Sequence, residues 1–110
     1  MSVSYFVRYD GAPADPAAFA RHYAGPHAEI LRGFPGIGSL VLHRPVEWRD
    51  PAPVERGESC LLAQMIFPSA EALNFALASD ARARAREDFA NFPAFEGSVT
   101  HQAMGAEIIF

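Results

Sequence analysis

Residues 59–67 constrain the fold more than any other segment, because this strand-like run is apolar on both of its faces. Successive side chains of a strand point to opposite faces. One face carries Cys60, Leu62 and Ile66, and the other carries Leu61, Met65 and Phe67. An uncovered apolar surface of that size is typical of an interaction site. The run therefore predicts a strand whose sheet is covered on both sides.

Three further segments also read as strands, on the basis of alternating or β-rich composition. They are residues 3–9, 37–48 and 98–104. Pro45 cannot donate to a strand ladder, so it marks an edge, a bulge or the end of the second strand. We expect a loop over residues 10–13 and a polar connector over residues 49–58.

Two helical regions separate the strands. The first begins at Asp15, a good N-cap, and ends in a segment with three helix-breaking residues, Gly33, Pro35 and Gly36. The second is broken in two: Ser69 caps a helix that reaches residue 77, and Ser79 or Asp80 caps another that ends before Pro93. Residues 108–110 form an apolar tail.

The resulting order is β-α-β-β-α-β, which predicts an α+β, ferredoxin-like fold with a four-stranded antiparallel sheet. Helices cover one face of such a sheet. Because the other face also carries large apolar groups, we expect a homodimer in which two sheets pack face to face, a dimeric α+β barrel. A small ligand would lie inside the barrel or between sheet and helices.

Length and charge narrow the class of protein. The 110 residues predict one domain, 1–110, and half of them are hydrophobic. The net charge of −4, without a basic patch, argues against nucleic acid as a partner. One cysteine excludes an intramolecular disulfide. We see no signal peptide or membrane span, so the expected location is the cytoplasm, with no membrane partner.

A histidine inside an apolar helical stripe is the sharpest chemical feature. At 100° per residue, His27 falls within an arc of about 120° that faces the core, and His22 falls outside it. The arc also contains Phe19, Ala20, Tyr23, Ile30, Leu31 and Phe34. Pro26 cannot donate to the carbonyl of His22, so the helix must kink or restart at Gly25-Pro26.

His27 has two interpretations. As a functional group it is a general acid or base, with a pKa lowered by its apolar surroundings. As a structural group it is a core histidine satisfied by a carbonyl or a tyrosine. His101 and His43, on strands, are either relay partners in the same cavity or half-buried strand residues. We predict that His22 is solvated.

Other chemistry has little support. His22 and His27 lie about 140° apart on a helix, and no HxxxH, HExxH or CxxC motif is present, so we expect no metal. Cys60 is interpreted as a buried, inert thiol. Arg82, Arg84 and Arg86 are interpreted as a solvated helix surface, with Arg84 able to pair weakly with Asp88.

An aromatic excess in a small sheet domain suits an apolar or aromatic ligand, although most such side chains belong to the core by default. The candidate ligand-binding residues are Tyr5, Trp48, Met65, Phe67, Phe89, Phe92 and His101.

Several segments together resemble the EthD family. They are Tyr5–Gly11, Phe19–Tyr23 leading into Pro26-His27-Ala28, Phe34-Pro35-Gly36, Ser69–Leu73 and Glu87–Phe92. The resemblance implies a small dimeric α+β barrel protein, and places the family's signature histidine on His27, its tyrosine on Tyr23 and its strand-one basic residue on Arg8. One departure is Ala28-Glu29-Ile30, where many members carry a small apolar pair.

The family is named after the degradation of ethyl tert-butyl ether, and its superfamily includes polyketide cyclases, dehydratases, isomerases and small monooxygenases. We therefore expect a cofactor-free enzyme that transfers a proton on a small apolar or aromatic molecule. His27 would be the base, with Tyr23 and Arg8 orienting or polarising an oxygen. Two alternatives stay open: a binding or accessory protein for an oxygenase, and a cofactor-independent monooxygenase that uses Trp48 and the tyrosines.

Overall fold

The computed structural model covers residues 1–110 and contains one antiparallel sheet of four strands. The strands are β1 (Val3–Pro13), β2 (Ser39–His43), β3 (Ser59–Phe67) and β4 (Phe95–Gly105). Their order across the sheet is β2-β3-β1-β4, so β1 and β3 occupy the centre. With helices in both crossovers, this is the predicted ferredoxin-like α+β fold.

Both faces of the central strand β3 are at least partly buried, which accounts for the apolar residues on both sides. Leu61, Ala63, Met65 and Phe67 are buried against the helices. The alternate residues, on what we call the outer face of the sheet, are half-buried. Helices therefore cover the inner face only, as the sequence predicted.

The lengths of β1, β2 and β4 differ from the prediction, and β4 runs from Phe95 to Gly105 instead of over residues 98–104. Residues 10–13 were expected to form a loop, but they continue β1 and pair with β4 from Phe95 onward. Gly11 lies opposite Gly97, both with positive φ, and a Cβ on either would collide with the backbone of the other strand. The two glycines let the strands approach closely there. Strand β2, by contrast, ends at His43, two residues before Pro45.

The structure has four helices, three of which begin where the capping residues predict. They are α1 (Pro16–His22), α2 (Ala28–Arg32), α3 (Ala70–Leu77) and α4 (Asp80–Glu87). The side chains of Asp15, Ser69 and Ser79 accept hydrogen bonds from the backbone of the first turns of α1, α3 and α4. A short 3-10 turn, Asp88–Asn91, follows α4 directly.

The predicted disruption at Gly25-Pro26 takes the form of a π-helical turn, Tyr23–His27, between α1 and α2. The amide of Ala28 donates to the carbonyl of Tyr23, five residues back. This wider turn accommodates a proline that has no N–H of its own. Tyr23 and His27 are both buried on the sheet side, so the turn keeps the histidine among the core residues.

The core lies between the inner face of the sheet and the helices. Its largest fully buried side chains are Tyr9, Tyr23, Leu31, Leu61 and Phe67. None of the helices has the length and apolar character needed to cross a lipid bilayer.

Candidate functional site

A narrow pocket opens between the inner face of the sheet and the helices, with a volume of about 30 Å³. Nine of its 13 lining residues are hydrophobic. His27, Tyr9 and Tyr23 lie in its wall. The volume holds about one water molecule. A larger molecule therefore enters only if side chains at the mouth of the pocket move aside.

His27 presents one ring nitrogen to this pocket. Its Nδ1 lies 2.9 Å from Oδ2 of Asp88. The other nitrogen, Nε2, has no hydrogen bond within the chain. Every fully buried side-chain nitrogen or oxygen has a partner, so Nε2 is not fully buried. Nε2 is therefore the nitrogen that opens onto the pocket. Because a carboxylate only accepts, Nδ1 carries the proton and Nε2 carries the lone pair.

Asp88 holds two histidines with a single oxygen. His22 Nε2 and His27 Nδ1 both lie 2.9 Å from its Oδ2. The Asn91 side-chain amide donates to Oδ1 at 3.0 Å. Burial alone would raise the pKa of Asp88, but the hydrogen bonds from Asn91 and the two histidines outweigh burial and lower it to about 2. The carboxylate is therefore ionised throughout the physiological pH range.

His27 is neutral at physiological pH. Burial lowers its pKa below the ordinary value of 6.5, and the nearby Asp88 carboxylate only partly opposes this effect. The ring packs edge-on against Tyr23 and Phe92, with centroids 4.7 and 5.0 Å away. A neutral, fixed imidazole with its lone pair in an apolar pocket is a proton acceptor.

Tyr9 and Tyr23 contribute neutral phenols to the same pocket. Burial raises the pKa of each well above the usual range of tyrosine. Both therefore keep their protons at any working pH. A neutral phenol donates a hydrogen bond to an oxygen atom of a bound molecule, so His27 and the tyrosines combine one acceptor with a donor.

The mouth of the pocket is formed by β4 and α4. His101 lies on β4, and its Nδ1 is 2.8 Å from the hydroxyl of Tyr5. Arg82 and Arg86 reach the opening from α4, and Phe89, 38% exposed, follows in the 3-10 turn. These side chains are the ones that must move when a ligand enters.

Six of the ten candidate site residues meet at this pocket. They are Tyr5, Tyr23, His27, Met65, Phe89 and His101. Phe92 lies next to it, against the ring of His27. Phe67 is 1% exposed and belongs to the core.

Arg8 and Trp48 are not brought to the pocket. Arg8 alternates with the inward-facing Val7 and Tyr9, so it lies on the outer face, where it donates to the hydroxyl of Ser59 at 2.9 Å. Trp48 lies in the irregular segment after β2, with the guanidinium of Arg56 4.1 Å from its ring centre.

Three sequence-based predictions outside that set were wrong. His22 was predicted to be solvated, but it is bound to Asp88 and its side chain is 18% exposed. Arg82 was assigned to a solvated surface, but it is half-buried in the pocket lining; Arg86 is exposed as predicted and also lines the pocket. Asp88 was considered only as a weak partner for Arg84. Its position after Ala81 and Ala85 was the available signal, because positions 81, 85 and 88 share one helix face.

A larger groove of the chain lacks comparable chemistry. The groove between α2 and β2 is larger, about 540 Å³, but Arg32 is its only titratable lining residue. No group of three or more histidine, cysteine, aspartate or glutamate side chains is arranged to hold a metal ion. The pocket at His27 is therefore the candidate site, despite its smaller volume.

Comparison with known structures places the fold among oxygenases and EthD proteins. An EthD family protein from Bacillus halodurans C-125 is 26% identical, with a TM-score of 0.73 over 98% of this chain and 100% of that one. SnoaB, a cofactor-independent oxygenase from Streptomyces nogalater, is 18% identical, with a TM-score of 0.66 over 97% of this chain and 94% of that one. A monooxygenase from Streptomyces coelicolor, in complex with nanaomycin D, is 19% identical, with a TM-score of 0.67 over 99% of this chain and 89% of that one.

No curated protein matches the sequence. The family model of the EthD domain, however, matches residues 12–96. This range includes α1, the π-helical turn with His27, and Asp88 with its 3-10 turn. On the evidence of that match, the chain belongs to the EthD family.

Proposed function

We propose that this protein is a cofactor-free enzyme that removes a proton from a small apolar or aromatic molecule. The observation that carries the proposal is the neutral His27, with Nδ1 bound to Asp88 and Nε2 open to the pocket. A base of this kind acts on an acidic C–H or O–H group. The apolar lining suits a small organic molecule.

The proposed step moves one proton and one electron pair. The substrate C–H bond breaks, its proton passes to Nε2 of His27, and the electron pair stays on the substrate as an enolate. Asp88 stabilises the imidazolium that forms. Tyr23 donates to the developing oxyanion, as a preorganised donor does in a water-poor site, and Tyr9, which donates to the Tyr23 hydroxyl, helps to orient it. Return of the proton to a different carbon completes an isomerisation.

Arg8 has no part in this step, because it lies on the outer face of the sheet. Tyr23 retains the polarising role expected for it, with Tyr9 orienting its hydroxyl. His22 completes the hydrogen bonding of Asp88 and so helps to hold His27 in one orientation.

A cofactor-independent monooxygenase is the second candidate, favoured by the shared fold with SnoaB and the Streptomyces coelicolor monooxygenase. The first step is the same. The resulting carbanion then gives electrons to dioxygen, one oxygen atom becomes a carbonyl on the former CH₂ carbon, and the other leaves as water. This balance needs no external reductant.

Protein-catalysed hydrogen–deuterium exchange tests the proposed step. We expect the protein to accelerate exchange at the acidic C–H groups of 2-indanone, measured by proton NMR in D₂O. His27→Gln should reduce the acceleration by about 100-fold, and His43→Gln, on the outer face, should not. Because the pKa of His27 is lowered, activity should persist below pH 6.5 and decline only as the ring becomes protonated.

Equal acceleration by wild type and His27→Gln would contradict the proposal. Binding of 2-indanone without exchange would support the accessory-protein alternative instead. Oxygen consumption that accompanies exchange, followed with an oxygen electrode, would identify the monooxygenase reaction.

We also propose a homodimer that buries the outer face of the sheet. Val41 and Met104 on this face are 38% and 51% exposed, and Phe6, Leu62 and Ile66 lie between them. Sedimentation equilibrium at micromolar concentration should give twice the chain mass of 12.0 kDa. Val41→Lys should weaken the dimer, whereas Val54→Lys, in the irregular segment after β2, should leave it intact. A monomeric wild type would contradict the proposal.

A further inference from the structure

Two arginines at the pocket mouth have no acidic partner. Arg82 and Arg86 lie four residues apart on α4, so they share a helix face. Both line the pocket. The ion pairs of the chain join His22 and His27 to Asp88 and Arg32 to Glu29, and none includes these two arginines. Arg82 is half-buried, so part of its hydration has been lost.

Across the mouth of the pocket, these arginines face a histidine and not a carboxylate. His101, on the opposite side of the mouth, has a pKa that is lowered by burial first and then by Arg82 and Arg86. No carboxylate balances the two guanidinium groups at His101. Among the arginines without an ion pair, Arg82 and Arg86 are the two that line this pocket. Positive charge is therefore concentrated at the one opening that leads to His27.

We propose that the substrate is an aromatic carboxylate whose carboxylate group binds Arg82 and Arg86 while its ring enters the apolar pocket. The planar fork of a guanidinium matches the two oxygens of a carboxylate. The aromatic lining at Tyr5 and Phe89 matches a ring. This inference rests on the proposed function, because it names the substrate class of that reaction. It takes His27 as the place where the bound molecule loses its proton.

Anchoring at the mouth also gives a direction to the bound molecule. With the carboxylate held by α4, the opposite end of the ring points inward toward His27 and the tyrosines. A neutral molecule of the same shape lacks this anchor. The arginines would then act as specificity-determining residues, and His27 as the catalytic one.

A matched pair of compounds tests the substrate class without any need for turnover. We expect 4-hydroxyphenylacetate to bind about tenfold more tightly than 4-hydroxyphenylacetamide, its neutral analogue, by isothermal titration calorimetry. The Arg82→Gln/Arg86→Gln double variant should bind both compounds equally. Arg84→Gln should retain the tenfold preference, because Arg84 lies beside Gly33 and away from the pocket. Thermal melting checks that each variant is folded.

Equal affinities in the wild type would overturn the inference, as would a preference that persists in the folded double variant. Failure of the wild type to bind either compound at millimolar concentration would also overturn it. The proton-abstraction proposal is judged separately, because His27→Gln affects exchange at 2-indanone, a neutral molecule. A carboxylate preference without exchange activity would keep this inference as a binding specificity and reject only the chemistry.

Discussion

Replacing Asp88 with asparagine should lower the free energy of unfolding at pH 7 by about 3 kcal/mol. Oδ2 accepts from two imidazole N–H groups and Oδ1 accepts from Asn91. An asparagine amide has only one oxygen, so in either orientation its NH₂ group faces another donor. The side chain is 7% exposed, so water cannot compensate. Urea denaturation followed by circular dichroism measures the change.

The same substitution has a defined pH signature. The folded-state pKa of Asp88 is depressed to about 2 from an ordinary 3.8, so its stabilisation is fully present above pH 3.8. The advantage of wild type over Asp88→Asn should therefore shrink as the pH falls from about 4 toward 2. Asp50→Asn, an exposed aspartate in the segment after β2, is the matched control and should change stability little. A loss equal to that control would show that the two histidines do not depend on the carboxylate.

Phe67→Ala should lower the free energy of unfolding by about 3–5 kcal/mol. Phe67 is 1% exposed at the end of the central strand β3, so truncation leaves a cavity that the rigid sheet cannot close. Phe89→Ala is the comparison: its side chain is 38% exposed at the pocket mouth but packs on Tyr9 and Phe92, and we expect a smaller cost of about 1–2 kcal/mol. Chemical denaturation measures both changes.

The two phenylalanines also differ in their expected effect on ligands. Phe89→Ala should change the affinity for compounds that enter the pocket, because the side chain lines the opening. The sequence predicted Phe67 as a ligand-binding residue. If Phe67→Ala were as stable as Phe89→Ala, Phe67 would not be a core residue, and that prediction would stand.

Local patterns predicted most of the fold. Caps at Asp15, Ser69 and Ser79 gave the starts of three helices, since a cap depends only on its own turn. The alternation in residues 59–67 gave a strand with two apolar faces. The extension of β1 through residues 10–13 was missed because it depends on Gly97, which is far away in sequence and opposite Gly11 in the sheet. Turn-forming composition favoured a loop there, and tertiary pairing overrode it.

The site was harder to predict than the fold. The helical wheel placed His27 and Tyr23 on the core side, because both belong to one continuous element. Asp88 and the arginines come from α4 and the turn after it, and no local pattern reports which residues two separate elements bring together. Arg8 was predicted from the resemblance to the family, which does not specify the face of the strand that opens onto a pocket.

The π-helical turn at Tyr23–His27 also bears on how this segment evolves. A π turn holds one residue more than the α-helical turn it replaces. A relative shorter by a single residue here would keep both flanking helices in place and lose only the turn. Because His27 directly precedes α2, the histidine would keep its position at the pocket. A one-residue gap between positions 23 and 27 would thus indicate relatives that have an ordinary α-helical turn here and still carry the pocket histidine.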